Sequence, residues 1–162
     1  MDIQLALTKP LENADPKELT RCILSRFGLL PRKQGAKIRI EALILELYER
    51  KKQAYKNKLP DEAVMTVEAM ATYAQVSRQT MYDYLYRFLQ LNILKKTSFM
   101  KQHELITGYE LSGHNLETSF TKAITLIHEE LGTSLELIKS LQNEIKKEKL
   151  RFAMDSKTVE HS

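Results

Sequence analysis

VEAMATYAQVSRQTMYDYL, Val67 to Leu85, decides how the rest of this chain is read. Its apolar residues recur at helical spacing and pause once, around Gln75 to Ser77, so two short helices joined by a tight turn are expected. Thr66 precedes the first helix and Ser77 the second, and Ser77 offers a side-chain oxygen to backbone amides that have no partner inside the helix. Ala71 and Ala74 are small where two helices must approach, and Val76 supplies an apolar plug for the turn. In the second helix Met81, Tyr84, Leu85 and Phe88 share one face, which predicts the core side. The opposite face carries Arg78, Gln79, Tyr82, Asp83 and Tyr86, with Thr80 and Arg87 on its flank.

That polar face has a defined chemical potential. Arginine can pair in bidentate fashion with guanine and glutamine with adenine at the edges exposed in the DNA major groove, while Ser, Thr and Tyr hydroxyls bond phosphate. Residues at the amino end of such a helix reach deepest. Immediately afterwards the periodicity changes from helical to alternating. ILKKTSF (Ile93–Phe99) and LITGYELS (Leu105–Ser112) read as two strands, in which Leu105, Thr107, Tyr109 and Leu111 alternate with Ile106, Gly108 and Glu110. MKQHE, Met100 to Glu104, is the expected hairpin tip, with no Asn-Gly pair to define its turn. Lys95, Lys96 and Lys101, flanked by Gln102, His103 and Thr66, would place charge against phosphate, or else solubilise an exposed edge.

Outward from there, Val64 to Thr66 is a short strand candidate, and a longer helix from about Ala36 to Asn57 presents Ile40, Leu43, Ile44, Leu47 and Tyr48 on one side. Pro60 stops it. LLPRKQG (Leu29–Gly35) is a connector. Asp15, Pro16 and Glu18 open an earlier helix with a capping box and Gly28 closes it, with Leu19, Cys22, Ile23 and Phe27 as its apolar stripe. Residues 1 to about 14 read as a loose arm.

SRQTMYDYL (Ser77–Leu85) resembles the start of the recognition helix in prokaryotic transcriptional regulators, and the surrounding element order resembles the winged helix-turn-helix superfamily. GYELSGHN (Gly108–Asn115) is similar to the end of the wing strand in that group. The likeness covers about Ala36 to Gly113 and marks a fold and a broad role rather than one family. It departs at Gln75, where such turns often carry Gly; a left-handed backbone there costs about 1 kcal/mol or more. The resemblance implies a mainly α fold with a small β-hairpin wing and double-stranded DNA as partner. Ser77, Arg78, Gln79, Thr80, Tyr82, Asp83, Tyr86 and Arg87 would then serve on the recognition helix, and Lys95, Lys96, Lys101, Gln102, His103 and Thr66 on the wing and its flanks.

From about Asn115 to Phe152 apolar residues return in steps of three and four. Gly132 marks a candidate kink, and the chain from Asp155 is expected to fray. So long a seam exceeds what one small domain can bury, so a homodimer through Phe120, Ile124, Ile127, Leu131, Leu135, Ile138 and Ile145 is expected; the alternative is a helix folded back on the amino-terminal one. The expected divisions are 1–30 (arm and amphipathic helix), 31–113 (winged helix-turn-helix), 114–155 (dimerisation helix) and 156–162 (flexible tail).

Composition narrows the classes. At 162 residues, 43% hydrophobic and 28% charged, the chain is an ordinary globular sequence without low-complexity tracts. A net charge of +4 leans toward a polyanionic partner. From Pro31 to Lys58, Arg32, Lys33, Lys37, Arg39, Arg50, Lys51, Lys52, Lys56 and Lys58 outnumber Glu41, Glu46 and Glu49, which suits either a solvated helix face or a phosphate-facing surface. The single cysteine, Cys22, excludes an internal disulfide and reads as a small buried hydrophobe. No apolar run resembles a signal peptide or membrane span, so a cytoplasmic location is expected. His103, His114, His128 and His161 form no metal-ligand spacing, and the five glycines form no phosphate loop; neither an enzyme nor a cofactor is expected. The functional expectation is a dimeric, sequence-specific DNA-binding transcriptional regulator, with the transcription machinery as a further partner. A winged-helix protein-interaction module and a replication or segregation protein binding DNA repeats are the alternatives.

Overall fold

The computed structural model describes residues 2–30 and 37–160. Most of the connector, including Arg32 and Lys33 of the basic run, lies outside them, as does His161. The chain is mainly helical, with one two-stranded antiparallel hairpin and a long C-terminal helix. Its elements are α1 (Pro16–Arg26), α2 (Ile40–Asn57), a 3-10 turn at Pro60–Ala63, α3 (Val67–Ala74), α4 (Arg78–Gln90), β1 (Leu94–Lys101), β2 (Glu104–Leu111) and α5 (Leu116–Glu160). Contacts divide the chain into two units, Met1–Ala123 and Ile124–Ser162.

In the first unit the core forms where α2, α3, α4 and the hairpin base meet: Ile40, Leu43, Ile44, Leu47, Met70, Ala74, Met81, Leu85, Phe88 and Ile93 are almost wholly withdrawn from solvent. The expected caps at Asp15 and Ser77 are in place, and Thr66 adds a third. Asp15 accepts from the Glu18 amide at 2.8 Å, Thr66 from Ala69 at 3.2 Å and Ser77 from Thr80 at 3.1 Å. Each satisfies an amide that the first helical turn leaves unpaired.

α1 buries a different side from the expected stripe. Thr20 and Leu24 are buried, Leu19 and Ile23 are exposed and Cys22 is only half-buried. Thr20 tolerates the core because its hydroxyl donates to the Pro16 carbonyl at 2.7 Å. The expected loose arm explains part of the rest: it lies on α1. The Ala6 amide donates to the Arg26 carbonyl (3.1 Å), while Arg26 Nη1 (2.7 Å) and Cys22 Sγ (3.6 Å) donate to the Thr8 carbonyl. Gly28 takes φ +66°, and a Cβ there would come within 2.9 Å of the Gln4 carbonyl oxygen, so this helix stop also makes room for the arm.

The turn between α3 and α4 is left-handed at Gln75 (φ 58°, ψ 45°). The conformation is held because the Gln75 amide reaches the Ala71 and Thr72 carbonyls and the Val76 amide returns to Ala71 at 3.0 Å. The strand candidate at Val64 to Thr66 reduces to one bridge, Met65 to Tyr109, with amide–carbonyl distances of 2.9 and 2.8 Å. It crosses β2 so closely that a Cβ on Gly108 would lie 2.5 Å from the Met65 oxygen.

The hairpin is longer and its turn tighter than expected. β1 pairs with β2 from Leu94↔Leu111 to Lys101↔Glu104, leaving only Gln102 and His103 in the loop, with φ 50° and 65°. Two positive φ values are the mark of a type I′ turn, whose twist matches the strands. A hydroxyl pair between Ser98 and Thr107 at 2.9 Å helps hold this register. Burial follows position along β2 rather than alternating across it: the tip is exposed, whereas Gly108, Tyr109, Glu110 and Leu111 are all buried at the covered base.

α5 opens with Asn115 capping Thr118 at 2.8 Å and runs through Gly132 without a two-helix break, and it stays helical past the expected fraying point at Asp155, to Glu160. A cost of about 1 kcal/mol for one glycine is small beside the cooperativity of a long helix. Within the first unit, Phe120 stacks at a tilt on Phe27, ring centres 5.6 Å apart, so it is engaged inside the fold. In the second unit every described side chain from His128 to Val159 is exposed. Among the described residues no helix is long and apolar enough to cross a membrane.

Candidate functional site

α4 divides its residues as its periodicity requires. Met81, Tyr84, Leu85 and Phe88 are buried, whereas Ser77, Arg78, Gln79, Tyr82, Asp83 and Tyr86 are exposed and Thr80 and Arg87 half-buried. The exposed face is not a row of independent side chains. Ser77 both caps the helix and donates its hydroxyl to Thr80 Oγ1 at 2.9 Å. Arg78 Nη2 lies 3.2 Å from a Glu68 carboxylate oxygen on α3 and donates to the Tyr82 hydroxyl at 3.5 Å. The guanidinium stands 5.7 Å from the centre of the Tyr82 ring, within cation–π range. The hydrogen bond to Tyr82, then its electrostatic interaction with Tyr82 and Glu68, push the Arg78 pKa up from its ordinary value.

Burial pushes the Tyr109 phenol up, and nearby Tyr82 adds to the shift. Tyr84 is pushed up by burial, opposed by Arg87.

Farther along α4, Thr80, Asp83, Tyr86, Arg87 and Gln90 line an open cleft, and Asp2, Ile3 and Gln4 of the arm contribute to it. The sequence reading missed the arm here. Its nearest signal was Gly28, which reads equally well as an ordinary helix stop.

The hairpin cations differ in availability. Lys95 lies 3.7 Å from Glu110, which also holds Lys51, so its charge is partly compensated. Lys96 and Lys101 are exposed, as are Gln102 and His103 at the tip. Thr66 is committed to capping α3. Lys101 shares a second cleft with Arg50 and Thr66, and Arg39 with Arg50 and Glu68 borders a third along α3. Arg39 and Arg50 were legible only as members of a basic run, whereas the fold brings them to the edge of α3. Glu68 was missed altogether, because an exposed carboxylate on a short helix carries no sign of a partner ten residues away.

No group of His, Cys, Asp and Glu among the described residues could hold a metal ion. What the surface offers is an ion-paired, exposed guanidinium, an exposed amide side chain, several hydroxyls and dispersed lysines, a set suited to recognition by hydrogen bonds and charge. No protein-family model, no curated protein and no solved structure matches this chain.

Proposed function

We propose that this chain is a dimeric, sequence-specific double-stranded DNA-binding transcriptional regulator of the winged helix-turn-helix type. The observation that carries the reading is the division of α4: a buried apolar side anchors it while Arg78, Gln79 and Tyr82 stand exposed on its first turns. A capped α3, a tight turn and a following hairpin with exposed Lys96 and Lys101 support it. In this reading the amino end of α4 enters the major groove, Arg78 reads guanine and Gln79 adenine. Ser77, Thr80, Tyr82 and Tyr86 assist or hold phosphate, and the hairpin lysines anchor the backbone. Arg39, at the edge of α3, extends the cationic border, whereas Arg50 beside it is paired with Glu46 at 3.0 Å.

Dimerisation belongs to α5. Ile124, Leu131, Ile138 and Ile145 recur every seventh residue, and Ile127, Leu135 and Leu141 lie beside that row. Ile124, Leu131, Leu135, Ile138, Leu141 and Ile145 are exposed, an apolar seam suited to a second copy. A symmetric pair would meet half-sites about 34 Å apart, one turn of the duplex.

Selection of bound sequences from a random duplex library tests the reading directly, with enrichment of a palindromic motif expected. On that motif Arg78→Ala should cost about 5- to 150-fold at one base pair. Lys101→Ala should weaken all duplexes alike and flatten the salt dependence by about one unit. Failure to enrich any sequence, with retention on a partner protein instead, would favour an interaction module.

A further inference from the structure

Glu68 sits where a nucleic-acid surface would ordinarily avoid an acid. It lies in the first turn of α3, its side chain is 61% exposed, and it meets the 64%-exposed Arg78 at 3.2 Å. So exposed an ion pair contributes little to folding stability. A carboxylate beside a duplex also repels every phosphate, whatever the sequence. Both considerations leave the pair without a role in holding the fold or raising general affinity.

Its geometry supplies one. Arginine is a planar fork of five donors on a flexible stem, equally able to seize a phosphate or a base edge. Here one terminal nitrogen, Nη2, is taken by both Glu68 and the Tyr82 hydroxyl, and the plane rests near the Tyr82 ring. Nη1 and Nε make no hydrogen bond or ion pair among the described residues. The contacts bias the side chain toward one placement before any ligand arrives, leave Nη1 without a partner in the described fold as a donor for a base edge, and partly compensate the charge that would attract phosphate.

We propose that Glu68 is a positioning residue that sets sequence selectivity: by holding the Arg78 guanidinium against Tyr82, it favours a base edge over backbone phosphate and lowers general affinity in exchange for discrimination. This inference rests on the DNA-binding reading above.

The test measures the full-length chain by fluorescence anisotropy on its selected duplex and on a scrambled duplex, across a salt series. Glu68→Gln removes the charge at nearly constant shape. It should tighten binding to the scrambled duplex several-fold and reduce the selected-to-scrambled ratio about three- to five-fold. Glu68→Asp keeps the charge but shortens the reach, so it should lower the ratio without tightening the scrambled complex. In an Arg78→Ala background neither substitution should alter the ratio. Ratios for Glu68→Gln and Glu68→Asp within two-fold of the parent, or an equal loss in the Arg78→Ala background, would overturn the role of Glu68 while leaving the DNA reading intact. A parent chain with no preference between duplexes would overturn that reading, and this inference with it.

Discussion

Replacing Glu110 by Ala probes the tie that joins the hairpin to α2. Glu110 is buried at the base of β2, its side chain 9% exposed, and bonds the Lys51 ammonium, whose side chain is 16% exposed. Lys51 also donates to the Leu111 carbonyl at 3.1 Å, so removing the carboxylate leaves an ammonium with one neutral acceptor and limited access to water. Breaking a buried pair from one side costs about 3–5 kcal/mol; the residual carbonyl bond and partial exposure of Lys51 bring the expected loss to about 2–3 kcal/mol. Lys95, at 3.7 Å from the same carboxylate and 52% exposed, should cost below about 1 kcal/mol on truncation to Ala. Urea unfolding followed by circular dichroism measures both. Replacing the pair together, Lys51→Met with Glu110→Leu, should recover most of the loss, because the only charge left without its partner is then the exposed Lys95. Equal losses for Glu110→Ala and Lys95→Ala, or no recovery in the double variant, would refute the reasoning.

Other expectations follow from single features. Tyr84 and Tyr109 have folded pKa values raised above the ordinary phenol value of 10.0, chiefly by burial. Their contribution is therefore complete below about pH 10 and is lost as pH rises through the folded values, when the unfolded chain ionises first. The Tyr84→Phe, Tyr109→Phe double variant should flatten the fall of stability with pH in alkaline urea titrations. Replacing Gln102-His103 by Asn-Gly should raise the thermal midpoint by a few degrees, because both residues hold positive φ that Asn and Gly adopt at lower cost. Ile138→Asp should give a monomer by sedimentation without altering the circular dichroism of the first unit's fold, since Ile138 is exposed in the described chain.

Legibility in the sequence followed the range of the interactions. Caps at Asp15 and Ser77, and the two-sided character of α4, depend on neighbours within one or two turns, and these were readable. The buried side of α1 depends on α2 and on an arm more than ten residues away, so its own periodicity pointed elsewhere. The hairpin tip was legible at Met100 to Glu104, but its two-residue turn at Gln102 and His103 was not, because neither residue announces positive φ as Asn-Gly does. Glu110 appeared to be one polar member of an alternating strand; only the fold shows it buried against Lys51. In the candidate site, residue types and their exposed face were readable, whereas the clamp on Arg78 joins two helices and was not.

The crossing of Met65 over Gly108 bears on how this chain can drift through generations. The turn glycine-favouring positions, such as Gln75, already tolerate ordinary side chains at modest cost. Position 108 has no such latitude, since even a methyl would occupy space held by the Met65 backbone. Lineages that retain the bridge to Tyr109 must keep this hydrogen-only side chain, however freely the exposed helix faces diverge around it.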